Sequence, residues 1–262
     1  MKTVVASLLS LSSICAFAND TAVDPLKAEA ELGLLITNGN TESESIYGKL
    51  KVNQDLENWK NEYILRSLYK KDKVEVEVAG EKIKEEQTTA HSTFASVQSD
   101  YKLDSEHRSL FVFASYEDDR FSGFDYQSTI AAGYSDRLFE TENSNLDYSV
   151  GPGVSFTKTS IVYDDTGAVV EESEEYTTGV LHASASYLYQ ISDSAKFTQD
   201  VRTDIAAESD RNSKVISETA LVANINKSFA MKASYTVNYN SKAPDDKRHT
   251  DSRTALTLVF TM

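Results

Sequence analysis

The stretch Thr254-Ala-Leu-Thr-Leu-Val-Phe-Thr-Met262 decides how the rest of the chain is read. Leu256, Leu258, Phe260 and Met262 recur at every second position, with Ala255, Thr257, Val259 and Thr261 between them. A strand sends alternate side chains to opposite faces, so this is a two-sided ribbon with one apolar side. At the end of a soluble chain such a strand leaves an open edge that invites aggregation. In a closed membrane barrel the last strand pairs with the first and no edge remains. The segment is therefore expected to be the closing stave of a barrel.

Working outward, the same alternation recurs in about twelve segments, with ten to fourteen left open because the fourth is weak. The first runs from Ala28 to Ile36, with Leu32 and Leu34 on its apolar face. The second points Ile46, Leu50 and Val52 one way and Lys49 and Lys51 the other. The third sets Trp59, Tyr63, Leu65 and Tyr69 against Lys60, Glu62, Arg66 and Lys70. A long charged loop is expected over 71–87, then a fourth segment over 88–101 carrying Ala95, Val97 and Tyr101. The fifth, sixth and seventh turn Leu110, Ile130 and Leu146 outward, among others. Gly151-Pro152-Gly153 interrupts the seventh and predicts a bulge or bend, because proline cannot donate to a ladder. A strongly acidic loop over 159–174 precedes the eighth, which displays Leu181, Tyr187 and Tyr189. Phe197 and Val201, Leu221 and Ile225, and Met231 and Tyr235 mark the ninth to eleventh.

None of the positions named on these apolar faces is charged. A charge facing lipid at mid-depth costs roughly 2–4 kcal/mol, so this is what a barrel requires. Short connections after the even-numbered segments alternate with mostly longer ones after the odd. Short turns at one end and long loops at the other are the barrel pattern, and an even strand count returns both ends of the chain to one side. The short link Asn38–Glu42 is the exception. The reading is an all-β chain: a closed antiparallel transmembrane barrel over 28–262.

Residues 1–18 read as a secretory signal: Lys2, a short apolar run from Val4 to Ile14, and the small-x-small site Ala16-Phe17-Ala18. Residues 19–27 are expected to lead in from the periplasm. Cleavage after Ala18 would remove Cys15, the one cysteine, and with it any disulfide or thiol chemistry. The formal net charge of −15 argues against nucleic acid, whose phosphates attract basic patches. No later apolar run is long enough for a spanning helix.

Three stretches carry a family resemblance: Gly33-Leu-Leu-Ile-Thr-Asn-Gly-Asn-Thr-Glu-Ser-Glu-Ser45, Tyr116-Glu-Asp-Asp-Arg-Phe-Ser-Gly-Phe-Asp-Tyr126, and Gly151-Pro-Gly153. In this order they resemble the YdiY-like family of salt-induced outer-membrane proteins, along nearly the whole chain after the signal. The resemblance implies a Gram-negative outer-membrane barrel with a link to salt stress. The family is one of unknown function, so it implies no catalytic residue, ligand or cofactor.

Chemistry is sparse. His91, His107, His182 and His249 are scattered without metal-ligand spacing, and no cofactor motif occurs. His182 and Ser184 share an inward face, which permits an outer-membrane lipid hydrolase. The plainer reading is that both line a polar lumen. Glu117, Asp118 and Asp119 could gather divalent cations at a rim, or form a solvated loop with Arg120. Asp164, Asp165, Glu171, Glu172, Glu174 and Glu175 make an acidic run without Lys or Arg, able to share cations with lipopolysaccharide. The inward faces carry Arg66, Arg137, Arg202 and Arg253 beside Glu62, Glu117, Asp200, Asp204 and Glu218. Arginine forks should tie these carboxylates into a network across the lumen.

Two functions of different class follow. One is a structural or salt-stress-associated barrel with a narrow or occluded lumen. The other is a diffusion channel for small solutes. Expected partners are outer-membrane lipid, lipopolysaccharide and the barrel-assembly machinery during insertion.

Overall fold

The structure, a computed structural model, describes residues 26–37, 43–78, 81–103, 107–119, 122–163, 168–243 and 248–262. Its strands are β1 (Leu26–Thr37), β2 (Ser43–Asp55), β3 (Trp59–Val78), β4 (Glu81–Lys102), β5 (Ser109–Asp119), β6 (Phe124–Glu140) and β7 (Ser144–Thr159). They continue with β8 (Val162–Tyr163), β9 (Val169–Glu171), β10 (Glu175–Ser192), β11 (Ala195–Ala206), β12 (Lys214–Asn224), β13 (Phe229–Asn240) and β14 (Thr250–Thr261). Twelve of them close into one barrel, β8 and β9 forming a separate two-stranded piece. Each stave is antiparallel to its neighbour, and β14 closes on β1 with Glu29 opposite Thr261 and Leu32 opposite Leu258. The amide of Ala28 donates to Met262 O, and that of Met262 to Ala28 O, both at 3.0 Å.

Alternation sorts the side chains as the closing segment requires. Leu258 is 48% exposed on the outer face while its neighbour Thr257, turned inward, is 2% exposed. Aromatic rings gather toward both ends of the outer wall. Trp59 meets Tyr101 edge-on and Phe229 meets Phe260 at the short-turn end, while Tyr116 stacks on Tyr126 at the long-loop end. Amphipathic rings favour the two membrane–water interfaces.

Four expectations are corrected. Residues 71–78 and 81–87 are not a loop. They belong to β3 and β4, which stay paired from Lys71–Thr88 out to Val78–Glu81 beyond a bulge at Lys70/Lys71. The sequence from Lys73 to Val78 alternates charge with valine; the charge excludes it from lipid, but β-branched residues still favour a pleated hairpin. The acidic loop over 159–174 holds the small β8–β9 hairpin, with Asp164 and Asp165 outside the described residues. The barrel wall begins at Leu26, taking in Lys27, rather than at Ala28.

Gly151-Pro152-Gly153, the fourth, makes no bulge. The β6–β7 register is the same on either side of it, and its shifts lie at Phe124/Tyr126 and Arg137/Phe139. What happens instead is close backbone approach. A Cβ on Gly151 would sit 2.1 Å from Ala132 O, and one on Gly133 would sit 2.2 Å from Val150 O. Glycine in a strand marks such an approach, and Pro152 faces outward where its missing donor opens one ladder position. The short link Asn38–Glu42 lies outside the described residues.

Candidate functional site

The lumen is where the polar side chains converge. Lys232 of β13 donates to Glu31 of β1 at 2.9 Å and to Glu218 of β12 at 2.7 Å. Lys49 of β2 reaches the same two carboxylates, at 3.2 Å from Glu218 and 3.7 Å from Glu31. The four form a buried, charge-balanced cluster on one side of the lumen. Nearby, Lys51 pairs with Glu62 at 2.7 Å. Across the lumen Lys214 of β12 pairs with Glu117 of β5. Arg137 holds Asp147 in a two-bond fork, with Nε at 2.6 Å and Nη2 at 3.1 Å.

The expected network of arginine forks is therefore corrected. Of the four arginines only Arg137 makes one; lysines do most of the pairing. Arg66, Arg202 and Arg253 lie on aromatic rings instead. Arg253 sits 4.5 Å from the centroid of Tyr47. Arg66 sits 4.8 Å from that of Phe94. Arg202 lies between two rings, 5.7 Å from Phe94 and 4.9 Å from Phe113. Phe113 in turn stacks on His182 at 4.3 Å and 20°. The result is a column, Arg66–Phe94–Arg202–Phe113–His182, drawn from β3, β4, β11, β5 and β10. A planar guanidinium stacks on a ring face readily because it is weakly hydrated.

The carboxylates assigned to those arginines are committed elsewhere. Asp204 lies 2.6 Å from His182 Nδ1 and accepts Thr129 Oγ1 at 3.0 Å. Asp200 accepts Ser186 Oγ at 2.6 Å. The glycines of β6 and β7 help seat the column: a Cβ on Gly133 would come within 2.9 Å of the Phe111 ring, which packs 5.9 Å from His182.

The inward rings Phe94, Phe111, Phe113 and Tyr47 are not revealed by the parity of inward polar groups. One signal was available. Leu110-Phe111-Val112-Phe113-Ala114 is apolar on both faces, which marks a strand buried on both sides. Lys214 and Glu31 follow from extending the parity of Glu218 and of the first segment.

The column divides the lumen. On the short-turn side lies a vestibule of about 480 Å³, lined by Lys49, Arg66, Phe94, Arg202 and Glu218 among others. On the long-loop side lies a void of about 30 Å³ that shares Phe94, Arg202 and Ile216 with it. Those three side chains are the partition.

The rim cluster does not assemble. Glu117 points into the lumen to Lys214, and the register shifts between Glu117 and Asp119. The hairpin turns instead at Gly123, whose φ of 83° is easy only for glycine. Arg120 lies outside the described residues, and among the described residues no three carboxylates or histidines gather as a metal site. In the acidic loop, Glu174 accepts Arg211 Nη1 at 2.9 Å and Glu175 accepts the Tyr126 hydroxyl at 2.6 Å. The hydrogen bond it donates to Glu174 raises the Arg211 pKa above its usual value. Ser184 Oγ bonds Ser149 Oγ at 2.7 Å, not His182, so a serine–histidine pair is not made there.

A closed antiparallel barrel with an apolar exterior and a charged, aromatic-partitioned interior is a membrane barrel of the outer-membrane type. The chain belongs to the family described as "Protein of unknown function, DUF481", whose model matches residues 30–262. It is 29% identical over 243 residues to the "Uncharacterized protein YdiY" of Escherichia coli K12, covering 92% of this chain and 85% of that one. In fold it is similar to the translocator domain of the autotransporter NalP from Neisseria meningitidis. The TM-score is 0.51 at 11% identity, over 92% of this chain and 89% of that one. A looser likeness, at a TM-score of 0.46 and 8% identity, is to an outer membrane channel from Pseudomonas putida F1, over 90% of this chain and 93% of that one.

Proposed function

We propose that this chain is secreted to the outer membrane of a Gram-negative bacterium and serves there as a barrel with a closed lumen, in a structural or salt-stress-associated role. Its partners are membrane lipid, lipopolysaccharide and, during insertion, the assembly machinery. The observation that carries the closed lumen is the partition by Phe94, Arg202 and Ile216, common to the vestibule and the void beyond it. A guanidinium held between the rings of Phe94 and Phe113 within the lumen favours a closed passage.

Two measurements test the proposal. The protein should fractionate with the outer membrane and migrate faster unheated than boiled on a detergent gel. Refolded into a planar bilayer, it should conduct little or nothing. Large steady conductance would sink the closed lumen; a soluble periplasmic protein with no gel shift would sink the membrane role.

The vestibule favours one second reading, a small-solute channel. It would require Phe94 and Arg202 to swing aside, so conductance would come in brief openings.

A further inference from the structure

The blind end of the vestibule holds two guanidiniums that no carboxylate touches directly. Arg66 and Arg202 come from strands far apart in the chain, yet both reach the ring of Phe94, and both line the cavity. Like charges brought together away from bulk water are poorly screened. Among the described residues, neither guanidinium has a carboxylate oxygen within 4.0 Å. Arg202 Nε is buried and has no hydrogen-bond partner. The acids that could serve are turned to others: Glu62 to Lys51 at 2.7 Å, Asp200 to Ser186 at 2.6 Å, Asp204 to His182 at 2.6 Å. The stacking on Phe94 and Phe113 satisfies the ring faces of the cations but none of their N–H donors.

A guanidinium offers five N–H donors in a planar fork that matches a carboxylate. Buried polar groups are normally paired, so an unmet one calls for an explanation, and a bound ligand is one. The walls beside the arginines are not uniformly polar: Ile64, Leu188 and Ile216 line the same cavity. Its volume, about 480 Å³, lies within the roughly 300–1,000 Å³ range of small-molecule sites.

We propose that Arg66 and Arg202 form a binding site for a small organic anion, a carboxylate with a short apolar body. It enters from the short-turn end. The two guanidiniums donate to its carboxylate, and its body rests on Phe94, Ile64 and Ile216. The site rests on the closed-lumen reading in one respect: the partition at Phe94 and Arg202 is what stops the ligand.

Titration calorimetry on the refolded full-length barrel in detergent tests this, with sodium benzoate as probe and inorganic phosphate and benzylamine beside it. Benzoate should bind saturably. The double variant Arg66→Gln/Arg202→Gln should weaken it about tenfold or more, since charge-assisted forks are the strong hydrogen bonds. Arg211→Gln, at the far rim, should leave it unchanged. The heat-shift gel checks folding of each variant. If the double variant does not fold, Arg66→Lys keeps the charge and loses the fork, and should weaken benzoate severalfold. No saturable benzoate binding by folded protein overturns the site, and so does undiminished binding in the arginine variants. Phosphate bound as tightly as benzoate overturns the organic part of the assignment, and benzylamine bound as tightly overturns the anionic part. A large bilayer conductance would refute the closed lumen alone, because the arginine dependence of benzoate binding is read separately.

Discussion

Neutralising Glu218 tests whether the lumen is held by paired charge or merely hydrated. Its Oε1 accepts Lys232 at 2.7 Å and Lys49 at 3.2 Å, and Glu31 Oε1 lies 2.9 and 3.7 Å from the same two ammoniums. The cluster is two cations against two anions. Glu218→Gln keeps the shape and one acceptor oxygen but leaves a net buried positive charge. Each contact near 3 Å is worth about 5 kcal/mol of gross attraction at an effective dielectric near 20, most of it offset by desolvation. Removing one partner of a buried pair costs roughly 3–5 kcal/mol. Glu31 and the glutamine carbonyl retain part of the attraction, so the expected loss is about 3 kcal/mol, the lower end of that range. Urea unfolding in lipid vesicles, followed by the fluorescence of the single tryptophan, Trp59, measures it. Adding Lys232→Met restores charge balance through Lys49 and Glu31. The double variant should therefore be more stable than the two single losses summed, by about 1–3 kcal/mol of coupling. A loss under about 1 kcal/mol from Glu218→Gln, or strict additivity, would refute a paired cluster.

Leu258→Arg should cut assembly into vesicles by roughly 2–4 kcal/mol, because that side chain faces lipid. Thr257→Arg should be no milder, although the position faces inward: Thr257 is 2% exposed, and its Cγ2 lies so near Gly33 that even an added Cβ there would come within 3.0 Å of it. Arginine there overpacks the wall, and a well-folded Thr257→Arg barrel would show the seam to be looser than described. Gly151→Ala should abolish the heat-shifted band or nearly so, since its methyl would meet backbone oxygen at 2.1 Å; normal folding would mean β6 and β7 can separate there. Phe94→Ala with Arg202→Ala should raise single-channel conductance and shift selectivity toward cations, because it removes the partition and one positive charge from the lumen. Unchanged current would move the constriction elsewhere.

The β fold was legible because it is written in parity. A strand has a period of two, so the face that must avoid charge can be read one segment at a time, and the seam needs only the last segment and the first. Where parity persisted but charge rose, as in Lys71–Gln87, the reading failed. Charge excludes a segment from lipid, and it does not forbid pairing above it. Gly151-Pro152-Gly153 predicts a bulge or bend, and the register through it is regular. Only the neighbouring strand shows that what it accommodates is the backbone of Ala132 and Gly133.

The lumen divides differently. That Arg66, Arg202, Glu62 and Glu218 face inward follows from their positions on their own strands. Which cation meets which anion depends on the stagger of strands across the barrel, and no local pattern encodes that distance. Lys232 and Glu31 are 201 residues apart and 2.9 Å from each other. Arg211 reaches an acidic loop that holds no basic residue of its own. The sequence alone determined the two faces of the staves wherever apolar and polar residues alternate, because side-chain direction is a property of each strand by itself. The tertiary structure decided that lysines pair the carboxylates while Arg66, Arg202 and Arg253 lie on rings, because partner choice is set by curvature, stagger and the space left by facing side chains.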